Sequence, residues 1–406
     1  MTAAQRAGLV ASRSGTSALQ LPGSFWPDAD ERLLLRAALL DGERSTSAWQ
    51  RLSAQLDVDD PDRAAYPLLA LLYRQLDNLD VDDPRLAKLR GIYRRTWYVN
   101  QLRRDRSKEA VEVAQPFGAL VFDGWELVLR YYGDLGLRDV PALHLLVRPE
   151  HAAAAARALS ELGWSGPSSV TPAFLRGRGP VSFENASRDL CFVHWRLFRE
   201  FCAPERGVDS EDPWEHALEF DFGGVRARAP GAADELLHVC LSGARTGDGR
   251  SMMWIADAVA VLRVGDPAVD WDRLVRQAQR LRAALRTADA LSFLREELGA
   301  PVPENVLEEL RRVPARRREV LAHRAAARRW RLFGTAPEAL TRFLRLTSDA
   351  SVPRALADLP TFLRDDWGLE RRTQVPVVAT RKVAARLRRS LQREGARTRP
   401  ESRPQL

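Results

Sequence analysis

The sequence predicts an α+β protein: a small mixed sheet set between a helical N-terminal part and a helical C-terminal part. Two observations carry this. Apolar residues keep the 3.6-residue period of amphipathic helices from Asp28 to about residue 114, change to short runs of strand length between 117 and 228, and return to helical spacing after Pro230. The composition, 45% hydrophobic and 29% charged over 406 residues, supplies core for such a fold. It excludes a wholly disordered, collagenous or low-complexity chain.

Residues 1–27 are rich in Ser, Gly and Thr, end at Pro27, and read as a flexible lead. The helical N-terminal region spans 28–114. Leu33, Leu34, Leu35, Ala38, Leu39 and Leu40 form a stripe at helical spacing. The hexapeptide Leu-Asp-Val-Asp-Asp-Pro occurs at 56–61 and again at 79–84. Each copy places an Asp at a helix N-cap and a Pro in the first turn, where its missing N–H costs nothing. A calcium loop would need a glycine and a distal bidentate Glu that are not there. Helices are therefore expected over about 62–78 and 84–114.

The core region spans 115–230. Phe117–Phe122, Ala142–Val147 and Asp189–Trp195 have the length and apolar character of strands. Gly124 and a helical stretch to Tyr132 follow the first. An alanine-rich helix over 150–162, closed by Gly163, follows the second. Residues 217–222 and 225–228 fit a hairpin across Gly223-Gly224. The helical C-terminal region, 231–370, is expected to hold helices at 232–244, 251–263, 270–297 and 303–311, then arginine-rich helices. Residues 371–406 form a basic tail, with disorder expected beyond about Arg393.

The net charge is +8, and nine basic residues against two acidic ones in 381–403 account for +7 of it. The basic balance belongs to the tail rather than to a folded nucleic-acid-binding face. Such an arm suits nucleic acid or acidic lipid; a solvated, frayed end is the plainer reading. Cys191, Cys202 and Cys240 are an odd number at irregular spacing. They form neither a disulfide framework nor a CxxC zinc knuckle and fit a reducing cytoplasm. No signal-peptide core and no apolar run of membrane-spanning length is found, so the expected location is cytoplasmic, with no membrane span.

No GxxxxGK[ST], GxGxxG, GxSxG or HExxH motif occurs, and none of the six histidines pairs with another at helical i+3 or i+4 spacing. The Asp-x-Asp pairs at 28/30, 57/59, 80/82 and 270/272 all sit at expected helix starts and read as caps. Glu219-x-Asp221 falls on one face of the expected hairpin, read as a solvated face.

The order of elements over 60–330 resembles an uncharacterised nucleotidyltransferase family of bacteria. The matching stretches are LVFDGWELVLRYY (120–132), Arg138, ALHLLVRPEHAAAAARALSELGW (142–164), CFVHWRLF (191–198), DELLHVCLSGAR (234–245), WIADAVAVL (254–262) and VDWDRL (269–274). The resemblance implies a nucleotidyltransferase-like sheet on which an Asp-x-Asp pair and a carboxylate of a later strand hold Mg²⁺ for phosphoryl chemistry.

This sequence departs from that pattern at every one of those positions. Ala142 and His144 stand at Asp-x-Asp, Phe192 at the third carboxylate, Asp123 at the Lys of a Lys-Gly step, and Ser242 where a His is usual. Gly124, Arg138, His194, Trp195, His238, Trp254 and Asp257 match. The remnant cleft is therefore assigned to Asp123, Gly124, Arg138, Ala142, His144, Phe192 and His194, with no catalytic residue named. A wall of methyl, imidazole and phenyl offers magnesium none of its oxygen ligands. His144 and His194 alone, without a third ligand, would hold zinc weakly. No metal and no cofactor are expected; Mg²⁺ enters only if Asp123, Asp134, Asp139, Asp189 or the Glu219/Asp221 pair has rebuilt a carboxylate site. The reading is a catalytically degenerate nucleotidyltransferase-fold protein with a binding or accessory role, its partner a nucleotide or a protein. Arg138 and the N–H groups near Gly124 are the expected phosphate donors. The alternatives are an active transferase with a rebuilt site, and a nucleic-acid-associated protein acting through 381–403.

Overall fold

A computed structural model describes residues 26–58, 66–167, 170, 175, 180–198, 201, 210–243, 251–265, 268–326, 340, 342–344, 347, 350–367, 369–382 and 384. The described residues within 1–171 and 180–349 form one compact unit, and those within 172–179 and 350–406 another. The regions 28–114 and 115–230 and the C-terminal region up to 349 thus fall in the first unit, apart from 172–179, while residues 350–370, read as part of the helical C-terminal region, fall in the second.

The N-terminal helices are α1 (Ala29–Leu39), α2 (Gly42–Ser53), α3 (Leu69–Asn78) and α4 (Leu86–Ala114). Asp28 starts α1 through a full capping box with Glu31, each side chain accepting the other's backbone N–H. Trp26, assigned to the flexible lead, is instead buried, its ring 5.3 Å from Phe293. The second Leu-Asp-Val-Asp-Asp-Pro copy caps differently from expectation. Asp83 accepts the Arg85 N–H at 2.8 Å and bonds the Trp49 indole, so α4 begins only at Leu86. The first copy beyond Val58 lies outside the described residues.

The sheet has the order β1-β2-β4-β3, with β1 at Leu120–Val121, β2 at Ala142–Leu146, β3 at Val181–Glu184 and β4 at Leu190–His194. β2 and β4 run parallel; β1 and β3 flank them antiparallel. Helix α5 (Ala152–Glu161) lies on the path between the parallel pair, as a parallel crossover requires. β1 is shorter than expected because Gln115–Phe117 continues α4 as a 3₁₀ turn, ended by Gly118 at φ +66°. β3 was not foreseen: four residues with only Val181 and Phe183 facing inward give too short a pattern to stand out.

β5 (Leu218–Asp221) and β6 (Arg226–Ala229) form the expected hairpin, but as a separate two-stranded sheet. The helices α6 (Ala232–Gly243), α7 (Met253–Val264), α8 (Trp271–Arg280), α9 (Ala284–Leu298), α10 (Glu304–Arg312) and α11 (Arg317–Ala326) follow. The single helix expected over 270–297 is broken at Leu281–Ala283, where Arg282 takes φ +54°. Asp270 caps α8 as foreseen. α6, α7 and α9 pack with α1 and α3 around one apolar core. In the second unit, α12 (Val352–Asp366) opens at Pro353 in its first turn. Of the basic tail, 371–382 and 384 are described; the disorder expected beyond about Arg393 lies outside the described residues. No described helix is long and apolar enough to cross a membrane.

Candidate functional site

The chain leaves β1 at Phe122 and turns sharply through Asp123 (φ +60°) and Gly124 (φ +156°). Asp tolerates the left-handed conformation better than most residues. Gly124 is required on two counts: its φ, and a Cβ there would stand 3.0 Å from Arg138 Nη1 and 3.0 Å from Val140 Cγ1.

This turn faces three imidazoles. The β2/β4 register sets His144 opposite Phe192 and Leu146 opposite His194. The His144 and Phe192 rings stack at 5.1 Å. His144 Nδ1 and His194 Nε2 lie 3.0 Å apart in a hydrogen bond. His238 comes from α6. The Phe122 ring stands nearly perpendicular to all three, at centroid distances of 5.9 Å to His144, 4.9 Å to His194 and 5.3 Å to His238. Asp123 bridges the group, with one oxygen 3.8 Å from His144 Nδ1 and the other 3.9 Å from His238 Nε2. Asp123, Gly124, His144, Phe192 and His194 thus stand together at this turn, with Ala142 two residues from His144 on β2.

Arg138 also lies against this turn, beside Gly124, but its hydrogen bonds are committed elsewhere. It is buried, and its Nε and Nη2 donate to Asp257 of α7 at 2.7 and 3.0 Å. Tyr132 donates to the same carboxylate at 2.9 Å. The Gly124 N–H, the other expected phosphate donor, donates to Glu126 at 3.1 Å. Both donors are therefore engaged within the protein.

The carboxylates that were to rebuild a metal site are dispersed. Asp134 is held by Arg74, the Tyr93 hydroxyl at 3.0 Å and the Gly136 N–H at 2.8 Å. Asp139 pairs with Arg103 at 2.8 Å, and Asp189 accepts from Asn185 at 3.2 Å and faces Arg106. Glu219 and Asp221 lie on the solvated face of the separate hairpin. Only Asp123 of the set stands at His144.

Behind the turn lies a second acidic group. Glu126 is wholly buried, and burial pushes its carboxyl up to about 7 against the pull of Arg138. Glu235 of α6 is likewise raised well above the ordinary carboxyl range, by burial first and then by Glu126. Neither Glu235 oxygen has a hydrogen-bond partner. Glu235 and His238 are three residues apart and so share the face of α6 turned towards the site.

The profile of the uncharacterised nucleotidyltransferase family matches residues 64–299, more than half of the chain. The chain belongs to this family. No curated protein and no solved structure matches it. As a nucleotidyltransferase-family member it has the α+β fold described. Sequence reasoning left His238, Glu126 and Glu235 out of the candidate site. The signal was present: a Glu-x-x-His spacing on an otherwise apolar helix, Leu-Leu-His-Val-Cys-Leu, puts two polar side chains where only core is expected.

Proposed function

We propose that this nucleotidyltransferase-fold protein has lost Mg²⁺-dependent nucleotidyl transfer and serves as a binding or accessory protein. The observation that carries the reading is His144 stacked on Phe192, with Ala142 beside it, on the sheet face where the family's carboxylates would stand. Magnesium needs a set of hard oxygen ligands. The donor set at this turn is three imidazoles and one carboxylate, Asp123, and does not fit. The engagement of Arg138 by Asp257 and of the Gly124 N–H by Glu126 weighs further against a polyphosphate held in the family's manner. A protein partner is favoured over a nucleotide for that reason. The rebuilt-site alternative retains one carboxylate, Asp123. The nucleic-acid alternative depends on a tail that is largely outside the described residues, and nothing in the described fold adds to it.

The test is a screen of nucleoside triphosphates with Mg²⁺, read by thermal shift and by a nucleotidyl-transfer assay. Neither a Mg²⁺-dependent shift nor transfer is expected. Robust transfer by the unmodified chain would overturn the reading in favour of a rebuilt site.

A further inference from the structure

We infer that the outer face of α4 is a docking surface for a second copy of this chain, met antiparallel about a twofold axis at the level of Asn100. The inference goes beyond the proposed function and does not depend on it.

The face is continuous. Gly91, Arg94, Tyr98, Leu102, Asp105 and Glu109 recur three or four residues apart, on one side of the helix, and all are exposed. The buried residues of α4, among them Leu89, Asn100 and Ser107, lie on the other side. The centre of the face is apolar, with Tyr98 60% exposed between Trp97 and Leu102 at 44% and 36%.

Charge divides this face in two. From Leu86 to Arg104 the helix carries no acidic residue, and Arg90, Arg94 and Arg95 stand exposed there. Asp105, Glu109 and Glu112 follow, exposed in the last ten residues. Among the described residues the side chains of Arg90, Arg94, Arg95, Glu109 and Glu112 make no hydrogen bond or ion pair. Asp105 meets Lys108 at 3.0 Å yet keeps its side chain 55% exposed, and Arg106 turns aside to Asp189. Within a single helix this order is unfavourable, because the dipole prefers acidic residues first and basic residues last. α4 has no acidic residue in its first turn and no basic one in its last. Gly91 weakens the helix relative to alanine. A Cβ there would meet only open space, so no neighbour within the chain requires it.

An antiparallel copy accounts for all three features. With Tyr98 level with Leu102 of the second copy, Arg95 comes level with Asp105 of that copy and Gly91 with Glu109, which Arg90 and Arg94 flank along the helix. Each pairing is made twice, as a twofold interface requires. The two dipoles run opposed, and Gly91 lets the helices approach closely. Other occupants match only half of the face. An acidic partner would be repelled at Glu109 and Glu112, and the basic segment 381–403 at the arginines. The helix has 29 residues. At about 43 Å by about 10 Å per copy, two such faces cover about 900 Å², the size of a reversible interface and not of an obligate one.

The experiment is sedimentation velocity on the full chain, from micromolar to near-millimolar concentration. A reversible dimer is expected, weakened several-fold between about 0.05 and about 0.5 M salt. Arg90→Glu with Arg94→Glu and Arg95→Glu reverses one half of the face; Asp105→Arg with Glu109→Arg and Glu112→Arg reverses the other. Each triple variant alone should stay monomeric. An equimolar mixture of the two should dimerise, because each then meets its complement in both halves. Tyr98→Asp, a single exposed change that leaves every charge pair in place, should also give a monomer; circular dichroism checks that each variant keeps its helices. A parent chain that is monomeric throughout, a dimer that survives either reversal or Tyr98→Asp, or a mixture that stays monomeric would overturn the assignment. Nucleotidyl transfer is read in a separate assay, so failure of this interface and failure of the proposed function are distinguishable.

Discussion

Replacing Asp257 by Asn is the sharpest perturbation the fold offers. The Arg138–Asp257 pair is buried on both sides, with two hydrogen bonds at 2.7 and 3.0 Å and a third to Asp257 from Tyr132. Asparagine keeps the shape and removes the charge, leaving the guanidinium buried beside a neutral amide. Breaking a buried pair in this way costs about 3–5 kcal/mol, roughly a hundred- to several-thousandfold in the folding equilibrium. Replacing both partners by apolar residues of similar volume, Arg138→Met with Asp257→Leu, should restore most of the loss, because two desolvation penalties vanish together. The assay is urea unfolding followed by tryptophan fluorescence, completed as a double-mutant cycle. A cost below about 1 kcal/mol for Asp257→Asn would refute the argument. It would mean that Arg138 is not committed to the core and is available to a ligand.

Glu126 holds its proton to about pH 7 in the folded state against an ordinary value of 4.5, and Glu235 is shifted in the same direction. The folded state then binds more protons than the unfolded one, so stability falls as pH rises from about 4.5 through about 7 on account of Glu126, and goes on falling until Glu235 too has ionised. Glu126→Gln should lessen the fall between about 4.5 and 7 and raise Tm at pH 8, measured by calorimetry against pH. Restoring Ala142→Asp and His144→Asp together should produce a Mg²⁺-dependent thermal shift absent from the parent; no shift would mean that more than these two positions has been lost. Gly124→Ala should destabilise by more than about 1 kcal/mol, from its φ and from crowding of Arg138 and Val140, as denaturant titration would read. The buried Cys240 thiol, pushed up to about 12 by desolvation, and the similarly raised Cys191 should resist a thiol reagent until the chain is unfolded.

Periodicity carried most of the architecture. The capping box at Asp28, the cap at Asp270 and the hairpin across Gly223-Gly224 are local patterns, read within a few residues, and they stand as expected. β3 escaped because two inward residues do not make a pattern, and the break at Leu281–Ala283 escaped because no Gly or Pro announces it; Arg282 takes the left-handed conformation instead. At the site, the gathering of Asp123, His144, Phe192 and His194 followed from strand alternation and from the resemblance. The commitment of Arg138 did not, since its partner lies 119 residues away on α7. Nor did the approach of His238 and Glu235, which depends on how α6 docks against the turn after β1.

The segment Leu127–Tyr132 winds as a π-helix, closed by a bond from the Gly133 N–H to the Val128 carbonyl five residues back. Such a turn stores one residue more than an α-helical turn over the same arc. Its entrance carries Glu126, set against Glu235, and its exit carries Tyr132, bonded to Asp257. The two ends are therefore phased to different helices by a count of residues, not by their chemistry. Rewound as an α-helix with every residue kept, the segment would swing everything beyond it by about 100°, carrying the Tyr132 hydroxyl off Asp257. Excising one residue would instead let it rewind with its two ends in phase. Apolar side chains within Leu-Val-Leu can be exchanged with little consequence for that phase. When descendants of this chain are aligned, a one-residue gap between 127 and 132 would mark a π turn traded for an α turn, with both ends still docked.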